Sequence, residues 1–422
     1  MQWPTRWSVL GVAAAVVAGL ATGSSSATEP ERQERDCQAQ QIPVSLHEGG
    51  PADQEIYGEL CLPAGKRPKA VMLLTHGITY DHNYFDIPGF DEQYSYAASA
   101  AEAGYATLSI DRIGSGNSSH PPASLIGMNT NVWIAHQLVQ KLRAGKIASS
   151  NGKVAFAKVL QVGHSYGSGV TWLEASRYKD VDAIIVTGAN HFPRVDTITQ
   201  TLVPSLVSAP LDPAFSGEGL DPAYLTTRPG TRYADFMAPG NVDPALVAQD
   251  ERLKQTVTAS EFAQIPFDIG TELDIDVPVL VALGDKDSLF CGAGADCSSE
   301  EELVASEAPK LGYPPCVDGY LQPGAGHDNV LMRNARDFFD ALNAWALETV
   351  PPDGSTRTGG CGDFDPKQFK TIDPGAPNNN PIDPLQQLGT GLPAGPVLNV
   401  GGQALENALR GFPSDVVMKV TP

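Results

Sequence analysis

Runs of apolar residues alternate along this chain with amphipathic stretches at helical spacing, and that rhythm predicts the architecture. Ala70-Val71-Met72-Leu73-Leu74-Thr75 is continuously apolar, as expected of a strand covered on both faces. Tyr105 to Ile110, Lys158 to Val162, Val181 to Thr187, Val277 to Leu283 and Val317 to Leu321 read the same way, and Glu55 to Leu62 forms an earlier strand. Between them lie helices. Tyr94 to Ala103 is Ala-rich and stopped by Gly104. Asn131 to Ala144 carries Val132, Ala135, Leu138, Val139 and Leu142 on one stripe. Ser168 to Lys179 and Met332 to Leu347 follow, the latter with Phe338, Leu342 and Trp345 on one side. Strands alternating with helices predict an α/β protein with a mostly parallel sheet and helices on both faces.

The rhythm breaks once. Residues 191–271 are rich in Pro, Thr and Asp with short helical pieces such as Ala245 to Val257, which predicts an inserted cap over one end of the sheet. The core then comprises residues 55–190 and 272–350. Residues 28–54 read as an N-terminal arm, flexible over its charged, Gln-rich part at 28–41. Residues 351–422 read as a linker and tail, with Pro and Asn clustered between Pro374 and Pro384 and a short helical piece at 402–409.

The first 27 residues have the form of an export signal: Arg6, an apolar stretch from Val9 to Leu20, and small residues at Ser25-Ser26-Ala27. That stretch is short for a membrane span, so a secreted protein without stable membrane insertion is expected. The formal charge is −21, from 28 Lys plus Arg against 49 Asp plus Glu, which disfavours nucleic acid as a partner. Six cysteines follow the signal, an even number consistent with three disulfides in an exported chain. Fifteen pairings are possible. Proximity favours Cys37 with Cys61 and Cys291 with Cys297, leaving Cys316 for Cys361. Their spacing matches no zinc site, so no metal is expected.

The chemistry centres on Gly163-His164-Ser165-Tyr166-Gly167, a G-x-S-x-G segment between a predicted strand and a predicted helix. A serine on such a turn has its hydroxyl pushed clear of the sheet, and the glycines leave room for the close backbones. A serine hydroxyl needs a base. Of the eight histidines, His327 in Gly324-Ala325-Gly326-His327-Asp328 lies between the last strand and the last helix, where a loop carries it over the sheet's carboxyl edge. Asp328 beside it is expected at the surface. The base needs a carboxylate partner. Val279 to Asp287 ends a strand with two, of which Asp287 is preferred and Asp285 is the alternative. An oxyanion requires two donors. The N–H of Tyr166 and that of Ile78, in the loop His76-Gly77-Ile78-Thr79, are the candidates.

The order Ser165, Asp287, His327, with His76-Gly77 upstream and Asp111-Arg112-Ile113-Gly114-Ser115-Gly116-Asn117-Ser118 between, resembles the α/β-hydrolase superfamily over about residues 68 to 348. The resemblance implies an α/β-hydrolase fold: an eight-stranded, mostly parallel sheet with an inserted cap. The leading expectation is a serine hydrolase, monomeric, that cleaves small-molecule or lipid-like carboxylic esters through an acyl-enzyme on Ser165; the chain carries neither a Gly-rich phosphate loop nor a dinucleotide fingerprint, and no cofactor is expected. A peptidase or amidase using the same triad is the alternative, with Asp235, Asp243, Glu251 and Glu261 as possible anchors for a substrate ammonium. A silent binding protein on the same scaffold is a third. Trp172, on the helix after the nucleophile, is expected to be packed in the core.

Overall fold

The computed structural model describes residues 35–150, 152–292, 297–355 and 363–370. All lie in the compact unit that begins at Gln33. The export signal, Cys361 and the predicted helical piece at 402–409 lie outside the described residues.

Eight strands form one sheet: β1 (Arg35–Val44), β2 (Gln54–Pro63), β3 (Ala70–Thr75), β4 (Ala106–Ile110), β5 (Lys158–His164), β6 (Ala183–Thr187), β7 (Val279–Gly284) and β8 (Val317–Gln322). Their spatial order is β1-β2-β4-β3-β5-β6-β7-β8. β2 runs antiparallel to both its neighbours, and every other pairing is parallel. The main helices are α1 (Tyr96–Glu102), α2 (Met128–Arg143), α3 (Tyr166–Tyr178), α4 (Pro244–Leu253), α5 (Ala259–Ile269), α6 (Glu300–Glu307) and α7 (Ala335–Thr349).

The continuous apolar runs are explained by two cores, one on each face. Side chains alternate across a strand. Val71 and Leu73, Ile184 and Val186, and Val279 and Val281 therefore pack with Val132 and Leu138 of α2 and Val170 of α3. Their neighbours Met72 and Leu74, Ala183 and Ile185, and Leu280 and Ala282 pack with Tyr96 of α1 and Phe338, Leu342 and Trp345 of α7. None of the inner strands β3 to β7 has a wet face, so none shows the polar alternation of a half-exposed strand.

The segment at 28–41 differs from expectation. From Arg35 onward it is an edge strand, paired residue for residue with β2. Its outer positions are the glutamines that make it read as a loop. Its anchors are two buried residues, Ile42 and Val44, and the Cys37–Cys61 disulfide. Cys291–Cys297 also forms. The remaining expected pairing, Cys316 with Cys361, involves a residue outside the described set.

The insertion between β6 and β7 carries α4, α5 and a small antiparallel sheet of Leu206–Ser208, Tyr224–Thr227 and Val257–Thr258. The helical piece expected at 245–257 ends at Leu253, where the chain turns into the last of these strands. After α7 the chain returns to the body: the Tyr320 hydroxyl donates to the Phe369 carbonyl at 3.1 Å. Among the described residues, no helix is long and apolar enough to cross a membrane.

Candidate active site

Ser165 sits at the junction of β5 and α3 with φ 52° and ψ −118°, a conformation that side-chain-bearing residues rarely adopt. The turn is forced by crowding. A Cβ on Gly163 would lie 2.4 Å from the Gly167 carbonyl oxygen, and one on Gly167 would lie 2.1 Å from that of Thr75. The Ser165 N–H donates to Thr187 O at the end of β6 (2.8 Å), pinning the strained residue to the sheet.

The loop after β8 brings His327 over this turn, and its Nε2 lies 2.9 Å from Ser165 Oγ. Its Nδ1 lies 2.9 Å from Asp287 Oδ2, in the loop after β7. The other Asp287 oxygen accepts from the N–H groups of Leu289 (2.9 Å) and Phe290 (3.3 Å), which fix the orientation of this buried carboxylate. With Nδ1–H donating to Asp287, Nε2 is left as acceptor for the serine hydroxyl proton. Burial lowers the affinity of His327 for a proton, but the charge and hydrogen bond of Asp287 outweigh it, and the net shift is upward. Phe290 stacks on the ring with centroids 5.6 Å apart. Asp285 is elsewhere engaged: its Oδ1 accepts from Gly324 N at 2.7 Å and braces the loop that carries the histidine.

Asp328 is buried, not at the surface as expected. Its Oδ1 lies 3.2 Å from His164 Nε2, and its Oδ2 accepts from the Tyr80 hydroxyl. Burial pushes its carboxyl up to about 6. His164 is buried too, between Asp328 and Thr187 Oγ1 (3.1 Å), and stacks on Tyr84. Burial, and then repulsion from His327, push its proton affinity well down, so a neutral ring stands behind the pair. Nothing in the local sequence marks Asp328 as buried, because its partners lie about 160 and 250 residues away.

The His76–Thr79 loop is held by side chains remote in sequence. His76 Nδ1 lies 2.8 Å from Gly77 O, while its Nε2 accepts from Arg112 N at 2.9 Å. The Arg112 guanidinium donates to the carbonyls of His76 (3.2 Å) and Gly77 (3.3 Å) and pairs with Glu261 of α5 at 2.5 Å. The Asp111–Ser118 turn is thus a brace: Asp111 accepts from His82 N and Asn117 N, at 2.8 and 2.7 Å.

Ile78, Ser165, Tyr166 and His327 all line one cavity of about 240 Å³. Its other walls are largely apolar: Met128, Trp172, Ile198, Leu202, Phe236 and Phe262 among them. Trp172 is both buried, as expected, and part of this wall. None of Asp235, Asp243, Glu251 and Glu261 lines it. Asp235 accepts from Ser205 Oγ, Asp243 caps α4, Glu251 pairs with Lys254 and Glu261 with Arg112.

Strand order, sharp serine turn and the serine, histidine and aspartate contacts define an α/β fold of the hydrolase type. The model of the alpha/beta hydrolase family matches residues 72–341, and the chain belongs to that family. None of the curated proteins matches it in sequence. Among solved structures it is similar to a soluble variant of monoglyceride lipase from Saccharomyces cerevisiae, at 14% identity and a TM-score of 0.47. That match covers 75% of this chain and 96% of the lipase. An esterase from Exiguobacterium antarcticum matches at 16% identity and a TM-score of 0.47, covering 73% of this chain and 99% of its own.

Proposed function

We propose that the protein is an exported serine esterase that acts on small, largely apolar carboxylic esters. Ser165 attacks the acyl carbonyl while His327 takes its proton. The leaving alcohol departs with that proton, and a water activated by His327 then releases the acid. The N–H groups of Ile78 and Tyr166 hold the oxyanion. Residues 191–271 act as a cap whose Ile198, Leu202 and Phe236 close the acyl pocket. The two disulfides fit an oxidising destination.

One observation carries the reading: Oγ, Nε2, Nδ1 and Oδ2 stand in a continuous chain of 2.9 Å contacts at the mouth of an apolar cavity. The pocket favours an acyl chain over the ammonium end of a peptide, since none of its described lining residues is a carboxylate that could meet that charge. On nitrophenyl esters of increasing length, kcat/KM should rise about 4-fold per methylene, from ~0.8 kcal/mol each, until the cavity is full. Ser165→Ala should lose activity by ~10⁴-fold or more while melting cooperatively, and should no longer be labelled by a fluorophosphonate. Wild-type turnover in that variant, or faster cleavage of aminoacyl anilides than of esters, would overturn the proposal.

A further inference from the structure

Away from the serine, α2, α3 and the turn after α3 bring His136, Glu174 and Asp180 together. His136 Nδ1 lies 2.9 Å from Asp180 Oδ2 and 3.8 Å from Glu174 Oε1. The Glu174 side chain has no exposure, and neither of its oxygens meets an N–H or hydroxyl donor; its polar neighbour is the Asp180 carboxylate, whose Oδ1 lacks such a donor too. Three buried carboxylate oxygens without a donor are costly, because desolvation of an anion is offset only by a cation or by several N–H groups.

The nearby cations are committed elsewhere. Arg143 donates to the Asp180 carbonyl (2.7 and 2.9 Å), to Ala157 O and to the Asp182 carboxylate. Arg177 reaches Asn129, and Lys179 pairs with Asp274. Among the described residues, only the Gln140 Nε2 amide donates to these carboxylates, at 2.5 Å from Asp180 Oδ2. The His136 ring is fixed by stacking on Tyr178, with centroids 3.9 Å apart.

We propose that His136 Nδ1, Glu174 and Asp180 form a structural zinc site that ties α2 to α3. One imidazole and two carboxylates are a zinc-compatible set, with bonds of about 2.0–2.2 Å. Tetrahedral ligands at that radius stand roughly 3.3 Å apart, and the observed 2.9 and 3.8 Å bracket this spacing. His136 and Asp180 are partly exposed, at 20% and 14%, which gives the ion a route in and water a fourth position. The site would steady the helix whose first turn carries the nucleophile, from a point nine residues further on and roughly 13 Å along the axis. It takes no part in the ester chemistry. The competing arrangement is a proton shared by Glu174 and Asp180. Burial and the neighbouring Asp180 do push the Glu174 carboxyl well above the usual carboxylate range when no cation is present.

The test is zinc titration of the purified, chelator-treated protein, followed by calorimetry and by thermal unfolding. One zinc ion per chain should bind, raising Tm by roughly 5 °C at a hundredfold excess over Kd. Glu174→Gln and His136→Phe, which keeps the stack on Tyr178, should each abolish the rise while leaving ester turnover intact. X-ray absorption at the zinc edge should report one imidazole with oxygen ligands. No zinc uptake by the wild type would overturn the proposal in favour of the shared proton. Uptake that persists in both variants, or a zinc ion with two imidazoles, would place the ion elsewhere and overturn it equally.

Discussion

At the scale of single residues, the site rests on one carboxylate chosen from two. Asp285 and Asp287 are two positions apart, yet Asp287 lies at 2.9 Å from His327 Nδ1 while Asp285 caps Gly324. Asp287→Asn should cost ~10⁴-fold in kcat, because an amide stabilises the wrong tautomer of the ring and no imidazolium. Asp285→Asn, which keeps an oxygen for Gly324 N, should cost less than about 10-fold; equal losses in the two variants would mean that the pairing is misassigned. The pH profile has a definite sign. A base must be deprotonated to act, and Asp287 raises the proton affinity of His327 despite its burial. The acid limb of kcat/KM should therefore have its midpoint above the ordinary histidine value of about 6.5, and in Asp287→Asn any residual activity should show that midpoint moved to lower pH. All the catalytic candidates were legible in the sequence, because each stands in a short motif at a strand end. Asp328, His164 and Arg112 were not legible as supports, since their roles depend on partners that only the folded chain supplies.

At the scale of elements, the central strands were legible because a strand buried on both faces has to be apolar throughout, and the chain spells this out from Ala70 to Thr75 and again from Val279 to Leu283. Edge strand β1 was not, since five of its ten residues are charged or polar and its anchoring is a disulfide and two apolar side chains. The strand–turn–helix unit at Ser165 was legible through its glycines, and the structure gives their reason in distances. Gly167→Ala puts a methyl 2.1 Å from Thr75 O and 2.7 Å from His76 O, both backbone atoms of the strand end beneath α3. Neither can swing aside as a side chain would. The helix start must move, and with it Ser165, whose φ of 52° is held by the bond to Thr187 O. The expected outcome is loss of several kcal/mol of stability together with loss of activity and of fluorophosphonate labelling. A Gly167→Ala protein with unchanged Tm and unchanged labelling would show that the turn at Ser165 tolerates a Cβ at position 167 and that the close backbone approach does not dictate the glycine.

At the scale of the whole molecule, a buried ion pair within the insertion also reaches the His76–Thr79 loop, which carries the proposed oxyanion donor Ile78. Arg232, 1% exposed, donates to both oxygens of Asp250, at 2.7 and 3.0 Å. Both residues belong to the insertion. The same guanidinium reaches across to Thr79, donating to its hydroxyl (3.0 Å) and carbonyl (3.3 Å), and lies 4.2 Å above the Tyr80 ring. Thr79 has φ 55°, an unfavourable conformation for a β-branched residue. It follows Ile78 directly, so what restrains Thr79 also sets where the Ile78 N–H points. Arg232→Met removes these bonds and leaves Asp250 buried without its counter-charge, which should cost about 3–5 kcal/mol of stability. Replacing both partners, as Arg232→Met with Asp250→Leu, removes the stranded charge, and most of that stability should return. The bonds to Thr79 do not return. The double variant should therefore melt near the wild type yet retain a lowered kcat with KM little changed, because an oxyanion donor acts in the transition state and not on the bound ester. Recovery of kcat along with stability would reduce the pair to a structural staple and leave the loop's geometry to Arg112 and to the Gln255 N–H, which donates to Thr79 O at 2.9 Å.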